Sequence, residues 1–245
     1  MAILTYHHIG KCPPGQEDHR GLFVSRELFR EQLGWLRRQG YEAIGMGRIH
    51  EHITQGRALP RRWVAITFDD GFRNNLTAGL PVLQEFGFMA TIFLVTDRVG
   101  RAEPTGAWND YLTTADLAEM AQHGVEFGSH THTHPRLTKL NDEQALAELT
   151  ESRRRMTEDF ALPGDWFCYP YGNFSPRIAG LVKQAGYQLA LSTIRDNRIQ
   201  PAQQFWLPRV MVMNDTDARR LSYMLSHWYH WLHAWKNRKR WKSIR

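Results

Sequence analysis

The sequence comprises 245 residues, of which 42% are apolar and 23% charged, with a formal net charge of +6. This is the composition of a globular chain long enough for one large domain. It argues against a membrane-spanning helix in this sequence, because no stretch approaches the ~20 apolar residues that such a helix needs. It also excludes a disulfide scaffold, because Cys12 and Cys168 are the only cysteines, and we expect both thiols to be free.

The chain alternates between strand-like and helix-like patterns along most of its length. We predict strands at 3–6, 63–68, 89–95, 125–127, 166–169, 188–193 and 205–212. We predict helices at 25–39, 78–86, 113–124, 141–160 and 175–186, a final helix from Asp215 into the basic tail, and a polar loop at 11–22.

This alternation predicts an α/β fold with mostly parallel strands inside and helices outside. About seven strand–helix repeats indicate a distorted or incomplete (β/α)7-type barrel. We assign residues 1–222 to the barrel and residues 223–245 to a C-terminal aromatic and basic helix with its tail.

Two adjacent carboxylates, Asp69 and Asp70, follow the apolar strand 63–68. Neighbouring carboxylates repel each other, and a metal ion that takes one of them would offset that cost and leave the other as a base. A histidine-rich segment downstream supplies further ligand types, and its histidines are His130, His132 and His134.

The histidine spacing leaves two arrangements open. On extended backbone all three histidines would share one face, whereas on a helical turn His130 and His134 would pair. Asp70 plus two imidazoles would give three protein ligands and an open position, which is typical of a catalytic metal site. A histidine-rich surface loop is the simpler alternative, and the separate Asp-Asp pair at a strand end argues against it.

Three segments resemble the motifs of the polysaccharide deacetylases, also called NodB-type carbohydrate esterases. They are TFDDG at 67–71, HTHTH at 130–134 and YPYG at 169–172. The resemblance covers about residues 1–215 and implies a distorted (β/α) barrel that binds a divalent metal, usually zinc. It also implies that Asp69 is the catalytic base.

The same resemblance implies that Asp70, His130 and His134 are the metal ligands, and that His132 lies either around these ligands or at the surface. The sequence departs from the family where an arginine usually orients the base, because Cys168 stands there. Arg209 could supply that guanidinium from another strand, the alternative being an ordinary surface ion pair.

The family's late histidine motif, which supplies the general acid, is not clear near the C-terminus. The start of the chain, Leu4 to His7, is instead similar to the permuted subgroup that includes the poly-N-acetylglucosamine deacetylases, where this histidine is N-terminal. We therefore expect His7, in preference to His8, to protonate the leaving nitrogen. The backbone N–H of Tyr171 is the expected protein donor to the oxyanion.

The tail combines apolar residues at helical spacing with six of the 31 basic residues, at 236–245. The remaining 25 basic residues balance the 25 acidic ones, so the excess charge belongs to the tail. A helix packed on the barrel and a helix at an anionic membrane surface both fit this pattern. Nucleic acid is a weaker candidate because the charge is confined to one short segment.

The N-terminal residues lack the basic segment and apolar core of a signal peptide. We therefore expect a cytoplasmic protein unless a leader has been removed, and one at the inner membrane face if the tail binds lipid. We predict metal-dependent removal of an N-acyl group from an amino sugar in a glycan or a lipid-linked saccharide, with acetyl as the first candidate for the acyl group. The alternatives are an amide hydrolase acting on a non-sugar substrate and a non-catalytic carbohydrate-binding relic.

Overall fold

The computed structural model describes residues 1–102 and 110–242. The strands in these residues are β1 (Ala2–Tyr6), β2 (His8–Ile9), β3 (Phe23–Val24), β4 (Glu42–Ala43), β5 (Trp63–Phe68), β6 (Thr91–Leu94), β7 (Glu126–Ser129), β8 (Trp166–Cys168), β9 (Leu189–Arg195) and β10 (Leu207–Met211). The helices are α1 (Arg26–Arg38), α2 (Met46–Gln55), α3 (Leu80–Phe86), α4 (Thr114–Gln122), α5 (Asp142–Arg154), α6 (Pro176–Gln184), α7 (Ala218–Leu225) and α8 (His227–Lys242).

Seven parallel strands form a closed barrel in the order β1, β10, β9, β8, β7, β6 and β5. The ring closes because β1 pairs with β10 on one side and with β5 on the other, so that Leu4 is opposite both Val210 and Ile66. The short β4 pairs with the start of β5 outside this ring. The predicted (β/α)7-type barrel with parallel strands is confirmed, and the ring is complete.

Both faces of the barrel strands are buried, and successive side chains alternate between them. Leu4 and Ile66 pack in the layer between the strands and the outer helices α1 and α3. Ile3 and Ala65 pack instead in a second cluster that includes Cys168 and residues of α2. Every second residue along β1 and β5, counted from Ile3 and Ala65, is on this same face. These residues therefore point to the inside of the barrel.

Several helix ends match local capping signals in the sequence. Ser25 accepts a hydrogen bond from the backbone of Leu28 at the start of α1, and Asn141 forms a reciprocal capping box with Gln144 at the start of α5. The long helix predicted to end near residue 160 continues beyond α5 as a π-helical segment, Arg155–Asp159.

The prediction of one final helix from Asp215 is wrong. Asp217 caps α7 through its side chain, and the extended backbone of Ser226 separates α7 from α8. The division at residues 222/223 stays a prediction, and α7 runs across it. The predicted elements also did not include α2 or the short strands β2, β3 and β4. Within the residues described, no helix has the length and apolar content needed to span a bilayer.

Candidate active site

The sequence-predicted site residues converge at one end of the barrel, where the parallel strands finish. They line a single cavity of about 1010 Å³. The residues that meet there are His7 after β1, Asp69 and Asp70 after β5, His130 and His134 after β7, Tyr171 after β8 and Arg209 on β10.

Asp70, His130 and His134 bring three potential ligand atoms within 4.8 Å of one another. The Asp70 Oδ1 atom lies 3.7 Å from His130 Nε2 and 3.4 Å from His134 Nε2. His130 Nδ1 donates to the backbone carbonyl of Cys168 at 2.7 Å, which leaves its Nε2 unprotonated and facing the other two groups. This donor set fits a divalent metal ion with one carboxylate and two imidazole ligands.

Asp69, His130 and Cys168 form a second group whose atoms are equally close, but it suits a metal poorly. Both Asp69 oxygens accept hydrogen bonds from Arg209, so the carboxylate has a cationic partner already. Burial raises the pKa of the Cys168 thiol well above its usual range, which disfavours the thiolate that a metal would need.

Left-handed backbone is concentrated at the site. Asp70 (φ 75°), Thr131 (φ 70°), His134 (φ 69°) and Tyr171 (φ 57°) are four of the five non-glycine residues with positive φ in the described part of the chain. Such conformations are unfavourable and persist where the surroundings hold them, often at functional sites. Here the Thr131 hydroxyl accepts a hydrogen bond from the His134 backbone N–H at 3.0 Å.

The backbone of the histidine loop at 130–134 is neither extended nor helical, although His130 and His134 pair as the helical arrangement predicted. The left-handed residues turn the chain so that His132 leaves the metal-ligand cluster, and its Nδ1 lies 3.1 Å from the Thr96 hydroxyl. Glu148, from α5, accepts hydrogen bonds from the backbone N–H groups of His132 and Thr133 at 3.0 and 2.9 Å. Sequence reasoning missed Glu148, since no local motif distinguishes it from the other acidic residues of α5.

Arg209 forms a two-pronged ion pair with Asp69 inside the barrel. Its Nη1 and Nη2 atoms each lie 2.7 Å from one carboxylate oxygen, and its Nε donates to the Ser192 carbonyl at 3.0 Å. Arg209 is 2% exposed, so the surface ion pair considered as the alternative is ruled out. The guanidinium also contacts Cys168, with 3.0 Å between Nη2 and Sγ.

The ion pair decides the charge of Asp69. Burial alone would raise the pKa of this carboxyl, but the Arg209 guanidinium outweighs burial and the pKa lies below its ordinary value. Asp69 is therefore ionised at neutral pH although it is buried. The hydrogen bonds from Arg209 also fix its orientation.

His7 and His8 have different surroundings. The Nε2 atom of His7 lies 4.0 Å from Asp69 Oδ2, and the ring lines the cavity. His8 is stacked between Phe23 and Phe72, with ring centroids 4.1 and 3.6 Å away. Burial, followed by the neighbouring His7, lowers the pKa of His8 to about 3, so its ring is neutral at ordinary pH. The geometry favours His7 as a proton donor, and this role stays a prediction.

Tyr171 lies at the rim of the cavity and is 52% exposed. Its ring centroid is 4.7 Å from that of His134, and the Arg136 guanidinium lies 4.0 Å from the same ring. The tyrosine therefore borders the metal-ligand cluster. Binding of an oxyanion by its backbone N–H stays a prediction.

Comparison with known proteins matches the polysaccharide deacetylase family profile to residues 56–190. YxkH of Bacillus subtilis, whose assignment as a polysaccharide deacetylase is provisional, is 29% identical over 193 residues, covering 79% of this chain. The match covers only 64% of YxkH, less than two thirds of its length. The poly-β-1,6-N-acetyl-D-glucosamine N-deacetylase of Staphylococcus aureus is 23% identical over 231 residues, covering 86% of this chain and 78% of that protein.

The structure of the Streptococcus pyogenes deacetylase PplD aligns with a TM-score of 0.82 and 23% identity, covering 92% of this chain and 98% of PplD. That similarity supports the barrel fold. The segment that matches the family profile contains Asp69, Asp70, His130 and His134, whereas His7 and Arg209 lie outside it. Because the profile matches more than half of the chain and the fold agrees, the chain belongs to the polysaccharide deacetylase family.

Proposed function

We propose that this protein removes an N-acyl group from an amino sugar in a glycan or lipid-linked saccharide by metal-dependent hydrolysis. Acetyl is our first candidate for the acyl group. One observation carries the proposal: Asp70, His130 and His134 converge beside the buried, ionised Asp69, and all four line a large cavity. Family membership supports it, and the Staphylococcus aureus relative is named for N-deacetylation of an N-acetylglucosamine polymer.

Asp70, His130 and His134 would hold the metal ion, and zinc is our choice because imidazole and carboxylate are ligands that it accepts. Three protein ligands are typical of catalytic zinc sites. Bound there, the ion supplies Lewis-acid polarisation of the acyl carbonyl.

Asp69 accepts the proton of the attacking water. Arg209 holds both carboxylate oxygens, so the base is oriented before the substrate arrives and stays ionised at neutral pH. The depressed pKa makes Asp69 a weak base in the resting state. It therefore holds the proton only briefly and passes it to His7, which lies 4.0 Å away and has by then given its own proton to the leaving nitrogen.

His7 donates a proton to the leaving nitrogen, which must be protonated before the amide bond breaks. Its ring lines the cavity 4.0 Å from Asp69, so both groups face the same substrate atoms. The Tyr171 backbone N–H serves as the protein donor to the developing oxyanion. General acid or base groups of this kind each contribute about 10²–10⁴-fold to the rate.

Two other functions compete with this one. An amide hydrolase acting on a non-sugar substrate would use the same residues, and only the substrate profile separates it. A non-catalytic carbohydrate-binding relic would not need an oriented base, yet Asp69 is held by an arginine recruited from a different strand. The preserved base therefore favours an enzyme.

The test is acetate release from nucleotide-linked, lipid-linked and polymeric N-acetylhexosamines, measured before and after removal of metal with a chelator. We expect release from at least one of these substrates, loss of release after chelation, and recovery when Zn²⁺ is added back. Asp69→Asn should bind the metal but fail to release acetate. Full metal-dependent release by Asp69→Asn would refute the assignment of the base.

We also propose that residues 223–245 contact an anionic membrane surface and that the protein works in the cytoplasm at the inner membrane face. Support comes from the six basic residues at 236–245 and from Trp228 and Trp231, which are 69% and 67% exposed. Tryptophan and basic residues on one helix are typical of segments that lie at a lipid interface.

A further inference from the structure

Large apolar side chains are exposed on one face of α8. Trp228 and Trp231 are 69% and 67% exposed, and Leu232 is 42% exposed. The two indole rings lie 6.5 Å apart and are nearly perpendicular. We call Trp228, Trp231 and Leu232 the α8 aromatic surface. A monomer gains nothing in stability from exposing such a group of side chains, so the surface is suited to contact with another body.

The opposite face of α8 is attached to the barrel by specific contacts. His230 Nδ1 lies 2.7 Å from the buried carboxylate of Asp196, and the Asn237 side chain donates to the Arg195 carbonyl at 2.9 Å. Tyr229 is 5% exposed and packs in the main apolar core. These contacts fix the rotation of α8, so the α8 aromatic surface points away from the barrel in a defined direction.

The same contacts place α8 beside the active-site cavity. Arg195, the last residue of β9, lines the cavity, and its carbonyl accepts a hydrogen bond from the Asn237 side chain of α8. The Arg195 side chain is exposed, and no carboxylate of residues 1–102 or 110–242 forms an ion pair with it. The carboxylate of its neighbour Asp196 already contacts His230. Arg195 is therefore a cationic group between the cavity and α8.

The charge of the helix indicates what the surface contacts. Residues 227–245 contain no acidic residue, and six basic residues follow the exposed tryptophans. An anionic bilayer accounts for both features, since indole rings favour the interface and basic side chains are drawn to acidic headgroups. A neutral glycan or a second copy of this basic helix would account for the aromatic rings but not for the charge.

We propose that the α8 aromatic surface rests on an anionic bilayer and that Arg195 receives the phosphate of an amino sugar carried by a membrane lipid. The substrate part of this inference rests on the proposed deacetylase function. Docking through α8 brings the barrel end that contains the cavity to the membrane. A phosphate-linked sugar can then reach Asp69 while its lipid stays in the bilayer.

Membrane binding is tested by co-sedimentation with vesicles of phosphatidylcholine alone and of phosphatidylcholine with phosphatidylglycerol. We expect binding only to the anionic vesicles. The Trp228→Ser/Trp231→Ser variant should bind at least tenfold more weakly. Reversal of Lys236, Arg238 and Lys239 to Glu should reduce binding on the order of 100-fold or more, since each basic residue near such a surface contributes about fivefold.

A control variant carries Arg37→Glu and Arg38→Glu, which reverse two exposed charges on α1 and should leave vesicle binding as in the wild type. Equal binding to neutral and anionic vesicles would overturn the proposal. So would unchanged binding by the double serine variant. Binding of an N-acetylglucosamine polymer that is lost in the serine variant, with no vesicle binding, would assign the surface to a glycan instead.

The role of Arg195 is tested by acetate release from a lipid-phosphate-linked N-acetyl sugar in anionic vesicles and from a soluble, uncharged N-acetylglucosamine oligomer. Arg195→Gln should raise the ratio of the two KM values, vesicle to oligomer, by about tenfold, which corresponds to the loss of one charged hydrogen bond. Arg219→Gln, at an exposed arginine on α7, is the matched control and should leave the ratio unchanged.

The two failures can be distinguished. If the oligomer is deacetylated and the KM ratio of Arg195→Gln equals that of the wild type, this inference fails and the proposed function stands. If neither substrate is deacetylated by the metal-loaded wild-type protein, the proposed function fails, and the assignment of Arg195 fails with it.

Discussion

Asp69 and Asp70 are neighbours in the chain but occupy different surroundings. Asp69 continues the inward register of β5, is 3% exposed and contacts Arg209 with both oxygens. Asp70 follows in left-handed backbone with φ 75°, and its side chain is 14% exposed and faces two imidazoles. One change of backbone conformation between adjacent residues thus directs the two carboxylates to different partners.

The difference shows how two identical groups can take opposite roles. Asp69 is paired with a permanent cation, so its charge is balanced within the protein. Asp70 faces imidazoles that are neutral at ordinary pH, because burial and the nearby His130 lower the pKa of His134 to about 4 and burial lowers that of His130. Its charge has no fixed partner in this cluster, so a metal cation can supply one.

The strongest test of this comparison replaces each carboxylate by its amide. Asp69→Asn should lower acetate release by about 10²–10⁴-fold and keep the metal, since the three ligand atoms are untouched. Asp70→Asn should lose both the metal and turnover. Metal content and acetate release are measured on the same samples, with Asp18→Asn, at an exposed position, as the control. Equal loss of metal in the two variants would break the comparison.

The second test removes the cation that balances Asp69. Arg209→Met leaves a buried carboxylate unpaired and should lower the free energy of unfolding by about 3–5 kcal/mol, as measured by urea denaturation. Arg30→Met, which breaks the exposed pair with Glu85, is the matched control and should have a much smaller effect. Similar losses in the two variants would show that Asp69 does not depend on a buried partner.

The pH dependence of this second test follows from the lowered pKa of Asp69. A carboxyl whose pKa is lower in the folded state stabilises the protein above the pKa of the unfolded chain, about 3.9. That stabilisation is lost as the pH falls through the folded pKa. The difference in stability between wild type and Arg209→Met should therefore be constant near neutral pH and shrink below about pH 4.

Features set by neighbouring residues could be predicted from the sequence. The strand at 63–68 matches β5 residue for residue, because an apolar β-branched run followed by Asp-Asp-Gly is a local signal. The helices predicted to begin at residues 25 and 141 do so for the same reason, because Ser25 and Asn141 are capping residues. The positions of Asp69 and Asp70 at a strand end followed directly from this local pattern.

Features that depend on distant residues could be predicted only in part. Arg209 is 140 positions from Asp69, and the sequence offered it only as a candidate, since ring closure between β1, β5 and β10 decides which strands face each other. The left-handed turn at Thr131 separates His132 from the cluster, and histidine spacing carries no sign of it. Asp215 and Asp217 are both good caps, so the start of α7 was misplaced by two residues.

A third test sharpens the Asp70 side of the comparison. Glu148→Gln weakens the anchoring of the His132 and Thr133 backbone, so the loop that presents His130 and His134 should hold the metal about 10–100-fold more weakly. Zinc affinity is measured by competition with a chelator. Glu151→Gln, on the exposed face of the same helix, is the control. An affinity equal to that of the wild type would show that the loop holds its shape without Glu148.

The test with the smallest expected effect concerns the surroundings of Asp69. It measures how fast a reagent modifies the two cysteine thiols. Cys168 is fully buried against Asp69 and Arg209, and burial raises its pKa, so it should be both shielded and protonated at neutral pH. Cys12 is partly exposed in the loop before α1. A thiol reagent should therefore modify one cysteine in the native protein and two in denaturant, and peptide mapping should identify Cys12 as the first.

Modification of Cys168 in the native state at a rate like that of Cys12 would mean that water reaches Asp69 freely. Asp69 and Asp70 would then share similar surroundings, and the contrast between them would have to come from the metal alone.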